Sequence, residues 1–260
     1  VYSLLGATLA PFNELAGAVF GIDFEPWYGR GLWTDNYIPY SILAGDEIIA
    51  NVSVSPMEFI HEGQMVRLIQ LGTVMTRAGH RGQGWIRRLM AAVEQDFGDR
   101  TDGAFLFAND RVVDLYPRFG YRRSHEVRYA KPVTGGVGAA RRISLREADA
   151  WQAFAGVMRS SQIQNDLWLP RQAELTLFHV LGDLTENVYT LDDGEIWAIA
   201  EISGPTLRLH QIFSPKPVDL HRVTQSFGPA IRRAELGFTP LARDGFSKEP
   251  LREEDTTLFV

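Results

Sequence analysis

An α+β fold is predicted for this chain, with a mostly antiparallel mixed sheet flanked by helices and a loose second copy of the same layout. Three observations carry it. Three β-rich runs, "YSILA", "IIANVSVSPMEFI" and "MVRLIQLGTVMT", follow one another across the short polar turns "GDE" and "HEG", the pattern of an antiparallel meander. The glycine-punctuated stretch "TRAGHRGQG" then opens an amphipathic run. Finally, residues 131–140, "KPVTGGVGAA", are poor in bulky side chains, and the order of helix and strand signals loosely repeats beyond them.

The elements follow in order. "APFNELAGAVF" (10–20) has apolar residues at helical spacing, and the aromatic, turn-rich 24–37 reads as a loop or broken helix. After the meander and the glycines, Ile86, Leu89, Met90, Val93 and Phe97 recur on one helical stripe that Gly98 should stop. "GAFLFA" (103–108) is a short, continuously apolar strand. "NDRVVDLYPRFG" reads as a short helix with Asp110 as N-cap, disturbed near Pro117, and "YRRSHEVRYA" supplies closing strand. Beyond the linker come a helix pattern at 146–159, strand signals at 186–213, a helix at 218–227, and strand-like "LGFTP" and "TTLFV". The expected domains are therefore residues 1–133, a linker at 134–140, and residues 141–260.

Composition removes several classes of function. With 260 residues, 45% hydrophobic and 22% charged, the chain can bury a core. No apolar run approaches the roughly 18 residues of a membrane span, and no signal peptide is apparent. Zero cysteines exclude disulfides, thiolate metal sites and cysteine nucleophiles, which suits a reducing cytoplasm. A net charge of −6 argues against nucleic-acid binding and is compatible with a cationic substrate. His61 and His125 show no metal-ligand spacing, so no metal is expected.

The glycine loop narrows the chemistry. Gly79, Gly82 and Gly84 lie among Arg77, Arg81, Arg87 and Arg88 at the start of the periodic helix. Such a loop is either a tight turn or a cradle where free amides and the helix end face a phosphate. Trp85 and Ile86 after Gly84 exclude a Walker A loop, and Arg87 excludes the third glycine of a dinucleotide fingerprint.

An Arg-Gly-x-Gly loop between strand and amphipathic helix resembles motif A of the GNAT superfamily of acyl-CoA N-acyltransferases. Arg81, Gly82, Gln83, Gly84 and Trp85 fit the first five places of that motif, and Ile86 stands where a small residue is preferred. "NDRVVDLYPRFGY" resembles the family's second segment at Asn109, Leu115, Tyr116 and Gly120, with Val112 for Ala and Tyr121 for Phe. The resemblance covers about residues 1–130. It implies a GNAT fold followed by a second GNAT-like domain without cofactor motifs, of the tandem-domain type.

The resemblance also implies a site. Acetyl-CoA would be the cosubstrate, its pyrophosphate on the amides of Arg81, Gly82, Gln83, Gly84, Trp85 and Ile86. Val74, Met75 and Thr76 would form a splayed strand holding the acyl carbonyl and pantetheine. Asn109 would contact the cofactor, or else cap the strand end. Tyr116 would be the general acid for the departing thiolate, since a tyrosine near pKa 10 stays protonated at neutral pH. The alternative is a core tyrosine. Trp27, Trp33 and Tyr37, with Tyr28 nearby, would line the acceptor by cation–π contact or close the edge of the core. No base stands out: the strand before the loop carries Gln70, and Glu58, Glu62 and Asp35 are only candidates.

The expected activity is thus acetyl-CoA-dependent N-acetylation by direct transfer to a primary amine. The alternative is a noncatalytic acyl-CoA-binding protein. The expected partners are a small-molecule or protein amine, with no nucleic acid and no membrane; homo-oligomerisation stays open. "IFSPKPVDLHRV" and "RAELGFTP" lack the glycine loop and the tyrosine, so one active site per chain is expected.

Overall fold

The computed structural model describes residues 2–3, 9–145, 148–170, 173–181 and 184–260. Its elements form two compact units. The first comprises residues 1–58, 66–125 and 252–260, and the second residues 59–65 and 126–251.

The first unit opens with β1 (Tyr2–Ser3) and α1 (Leu9–Phe20), then the four-residue α2 (Glu25–Tyr28). The meander follows as β2 (Ile38–Ala44), β3 (Glu47–His61) and β4 (Gln64–Thr76). Residues 48–55 of β3 are buried without interruption, as expected for a strand covered on both faces. Next come α3 (Trp85–Phe97) and β5 (Gly103–Ala108). Leu89, Met90, Val93 and Phe97 bury the stripe of α3 in a core shared with Val52, Val54, Ile69, Leu71 and Leu106. Sheet order is β1-β2-β3-β4-β5, and β4 and β5 are parallel.

The segment after β5 differs from the sequence reading. Two 3-10 turns, Asp110–Val112 and Tyr116–Phe119, replace one helix. Pro117 brings no N–H to a longer ladder, and Gly120 at φ 91 ends the second turn. Asp110 is not the cap: Asn109 holds that position without a side-chain bond.

The second unit contains β6 (Val127–Pro132), β7 (Arg141–Ile143), α4 (Ala148–Ser160), β8 (Leu167–Trp168), α5 (Ala173–Leu181) and β9 (Val188–Leu191). It continues with β10 (Ile196–Ser203), β11 (Thr206–Phe213), α6 (Leu220–Gln225), β12 (Arg233–Leu236) and β13 (Ser247–Pro250). The sheet order is β13-β6-β12-β11-β10-β9-β7, and Trp168 of β8 pairs with Ile60. The last strand of the chain, β14 (Thr257–Phe259), pairs antiparallel with β5.

Two boundaries set from sequence therefore shift. The closing strand of the first half, β6, pairs with β12 and β13 instead, and β14 supplies the neighbour of β5 from the far end of the chain. Strand pairing is satisfied by any edge of matching pattern, so local sequence does not say which sheet a strand joins. The expected linker is also packed structure. A Cβ on Gly135 would stand 2.4 Å from the Gly228 carbonyl oxygen, and one on Gly136 2.8 Å from that of Gln225. These glycines permit close approach of backbones rather than flexibility.

Candidate functional site

The site grows out of the β4–β5 pair in the first unit. Leu68 to Leu71 pair with Gly103 to Leu106, and there the register ends, although β4 runs on to Thr76 and β5 to Ala108. The two strands part, leaving a wedge with one edge of each backbone free.

What opens the wedge is a distortion at Thr73, whose φ of +47 is rare for a β-branched residue. Asn51, fully buried on β3, donates through Nδ2 to the Thr73 carbonyl at 2.9 Å. Asn51 also bonds Ser53 at 2.9 Å and accepts from Ser41 at 2.8 Å. The Tyr37 hydroxyl meets Thr73 Oγ1 from the other side. Burial pushes the Tyr37 phenol up to about 12, so it stays neutral. A buried polar network fully satisfied in this way locks a strained backbone.

A cavity of about 750 Å³ occupies the wedge. Gly72, Thr73, Val74, Met75 and Thr76 line it from β4, and Phe107 and Asn109 from β5 and its end. Arg81, Gly82 and Ile86 form the glycine-loop end, and Arg111, Val112, Leu115 and Tyr116 the 3-10 segment. Val19, Phe20 and Asp255 complete it. Seven of the ten residues expected to hold the cofactor, Val74, Met75, Thr76, Arg81, Gly82, Ile86 and Asn109, thus share one wall system with Tyr116.

The other three, Gln83, Gly84 and Trp85, belong to the loop but not to the cavity lining. Gln83 bonds back to the Gly79 carbonyl, Gly84 is the N-cap of α3, and the Trp85 ring packs on the core with Arg88 5.2 Å above it. Gly82 and Gly84 stand at φ +76 and +79, a region other residues enter at a cost. Among the described residues, no acceptor meets the amides of Gly82 to Ile86. Bare amides, two left-handed glycines and the positive end of a 13-residue helix fit a phosphate.

Tyr116 is buried, 4% exposed, with its ring 5.5 Å from Phe259 and 6.4 Å from Tyr121. Burial raises its phenol to about 12. Trp27, Trp33 and Tyr37 do not line the cavity. Trp27 and Tyr37 are buried, and with Phe12 and Phe24 all three rings form a cluster with centroids 4.9–6.3 Å apart. Packed largely edge to face, these rings bury one another's apolar surface. No group of three His, Cys, Asp or Glu that could hold a metal occurs among the described residues, and no helix among them is long and apolar enough to cross a membrane.

Sequence reading missed Asn51, Thr73, Phe107, Arg111 and Asp255. Asn51 had a signal: Asn51, Ser53 and Ser55 alternate within an apolar strand and are all buried. Asp255 had none, since it reaches Asp110 across 145 positions of chain.

A mixed sheet with one splayed parallel pair, a cavity in the splay and a glycine loop at its mouth characterises the first unit. The comparisons with known proteins bear on that fold. Residues 7–124 match the family model described as an acetyltransferase (GNAT) domain. The fold resembles a probable N-acyltransferase from Enterococcus faecalis V583, at 14% identity and TM-score 0.64 over 99% of this chain and 70% of that one. It also resembles Eis1 from Mycobacterium abscessus (15%, 0.56, 99% and 72%) and a GCN5-related N-acetyltransferase from Kribbella flavida (16%, 0.59, 99% and 69%). Among curated proteins, none matches significantly. Residues 7–124 are thus matched to the GNAT acetyltransferase family, and the solved structures show the same fold along nearly the whole chain.

Proposed function

We propose that the chain is an acetyl-CoA-dependent N-acetyltransferase that passes the acetyl group directly to a primary amine. The observation that carries this reading is the continuity of one cavity from the bare amides after Arg81, along the free edge of β4, to Tyr116. A pyrophosphate at the loop and a thioester in the wedge would lie at its two ends. Those amides of residues 72–76 that face the wedge would then hold pantetheine and polarise the thioester carbonyl. One such donor on a developing oxyanion is worth about 3 kcal/mol.

The amine nitrogen attacks the carbonyl carbon, an N–C bond forms, the C–S bond breaks, and the amine proton passes to water. Tyr116 serves the departing sulfur. With its phenol near 12, complete transfer to a thiolate of pKa about 8.5 would cost about 5 kcal/mol. Its part is therefore hydrogen-bond donation as charge builds on sulfur, and the thiolate takes its final proton from solvent. An amine panel with acetyl-CoA, read by thiol release, tests the reading. Binding of acetyl-CoA without turnover on any amine would leave the noncatalytic binding protein.

A further inference from the structure

The walls of the cavity are uneven in chemistry. Arg81 and Arg111 are its cations, and Asp255 is the single carboxylate among the described lining residues. Asp255 sits at φ +57, held there by its Oδ1 accepting the Asp110 amide at 2.9 Å. That amide is its one hydrogen-bond partner among the described residues, so the second oxygen is free for a ligand. Phe20 and Phe107 line the same cavity yet remain 37% and 45% exposed. Large rings left wet inside a cavity gain most from an apolar ligand surface laid on them.

Resting on the acetyltransferase reading, we infer that the acceptor is a primary amine with a single cationic centre and an apolar body. Asp255 attracts the ammonium, and Phe20 and Phe107 cover the body. A polycation would meet one carboxylate against two guanidiniums. A small polar amine would leave both rings in water.

The test uses saturating acetyl-CoA with 2-phenylethylamine, 2-methoxyethylamine and spermidine, read as thiol release. Phenylethylamine should exceed methoxyethylamine in kcat/KM by about tenfold or more, the discrimination a few buried carbons supply, with spermidine lowest. Phe107→Ala should shrink that ratio to about threefold or less, with coenzyme A affinity by calorimetry unchanged. Asp255→Asn should lower kcat/KM about tenfold for both monoamines and keep their ratio. A preference for methoxyethylamine or spermidine overturns the inference, as does a ratio that Phe107→Ala leaves intact. So does weaker coenzyme A binding in Phe107→Ala, which would assign that wall to the cofactor. A protein that binds coenzyme A but acetylates none of the three overturns the inference where another amine of the panel is acetylated, and the acetyltransferase reading itself where none is.

Discussion

Each unit contains one parallel strand pair of the same extent, and the two pairs end differently. In the first, Leu68–Leu71 lie beside Gly103–Leu106; in the second, Thr206–Leu209 lie beside Arg233–Leu236. Past Leu71 and Leu106 the strands part around the cavity. Past Leu209 and Leu236 the gap is closed by the chain itself. Gly237 donates to the Leu209 carbonyl at 2.8 Å, Gln162 to Ser214 at 2.9 Å, and Asp166 to Thr239 at 2.9 Å. Asn165 bridges to Pro240 and bonds Gln211 at 3.0 Å, and Gln164 caps the carbonyls of Ser214 and Lys216. Strand edges near a core need hydrogen-bond partners. The second unit takes them from residues 161–166, and in the first they stay available for a ligand. The helix that connects the two strands of each pair differs to match: α3 starts at a left-handed glycine, while the six-residue α6 has Asp219 as N-cap, its side chain accepting from the His221 amide.

The sharpest way to break this contrast is Gly84→Val. A β-branched residue at φ +79 would distort the loop, and losing two charge-assisted hydrogen bonds costs about 3–6 kcal/mol. Coenzyme A affinity should fall more than about 100-fold, with no residual stoichiometric binding by calorimetry. Unchanged affinity would remove the loop from cofactor binding and end the comparison.

Tyr116→Phe should come next, lowering kcat by about two orders of magnitude or more at nearly constant coenzyme A affinity. Wild-type turnover, with chemistry limiting, would remove Tyr116 from the mechanism.

Paired substitutions sharpen the comparison further. Asn51→Leu strands the Thr73 carbonyl and should cost about 1–3 kcal/mol of stability together with at least tenfold in kcat/KM. Asn165→Leu disrupts the filled gap of the second unit and should cost similar stability with kcat/KM within about twofold. Denaturant melts and kinetics on both variants separate the two outcomes. Equal kinetic losses would mean that the polar network does not specifically hold the wedge.

The smallest effect is alkaline. Tyr37, Tyr116 and Tyr121 of the first unit have phenols raised by burial to about 12, and that of Tyr40 is raised as well. A proton held more tightly folded than unfolded gives stability that is complete below pH 10 and lost as pH climbs toward 12, on the order of 2 kcal/mol per residue. Hydrogen exchange at pH 9 and 11 should show the first unit loosening before the second. Simultaneous loosening would contradict that assignment.

The meander, the buried stripe of α3 and the glycine loop were legible because each is local. Alternation of period two, spacing of period 3.6 and glycines next to a helix start are imposed by residues within a few positions of one another. The helix at Ala173–Leu181 went unread, and the segment at 110–119 was read as a helix where two tight turns form. Propensity alone does not register what Pro117 removes until the neighbouring carbonyls have other partners.

By itself the sequence determined the glycine loop before α3, the aromatic content of 24–37 and the tight turn that carries Tyr116, because short-range sterics and hydrogen-bond supply fix them. Only the tertiary structure decided that β14 completes the first sheet while β6 joins the second. It alone buried Trp27 and Tyr37 in a ring cluster with Trp33, opened the wedge through Asn51 and Thr73, and brought Asp255 to the cavity. The physical reason is the same in each case. These outcomes depend on which edges and faces remain unsatisfied after distant segments have packed, and no run of neighbouring residues encodes that.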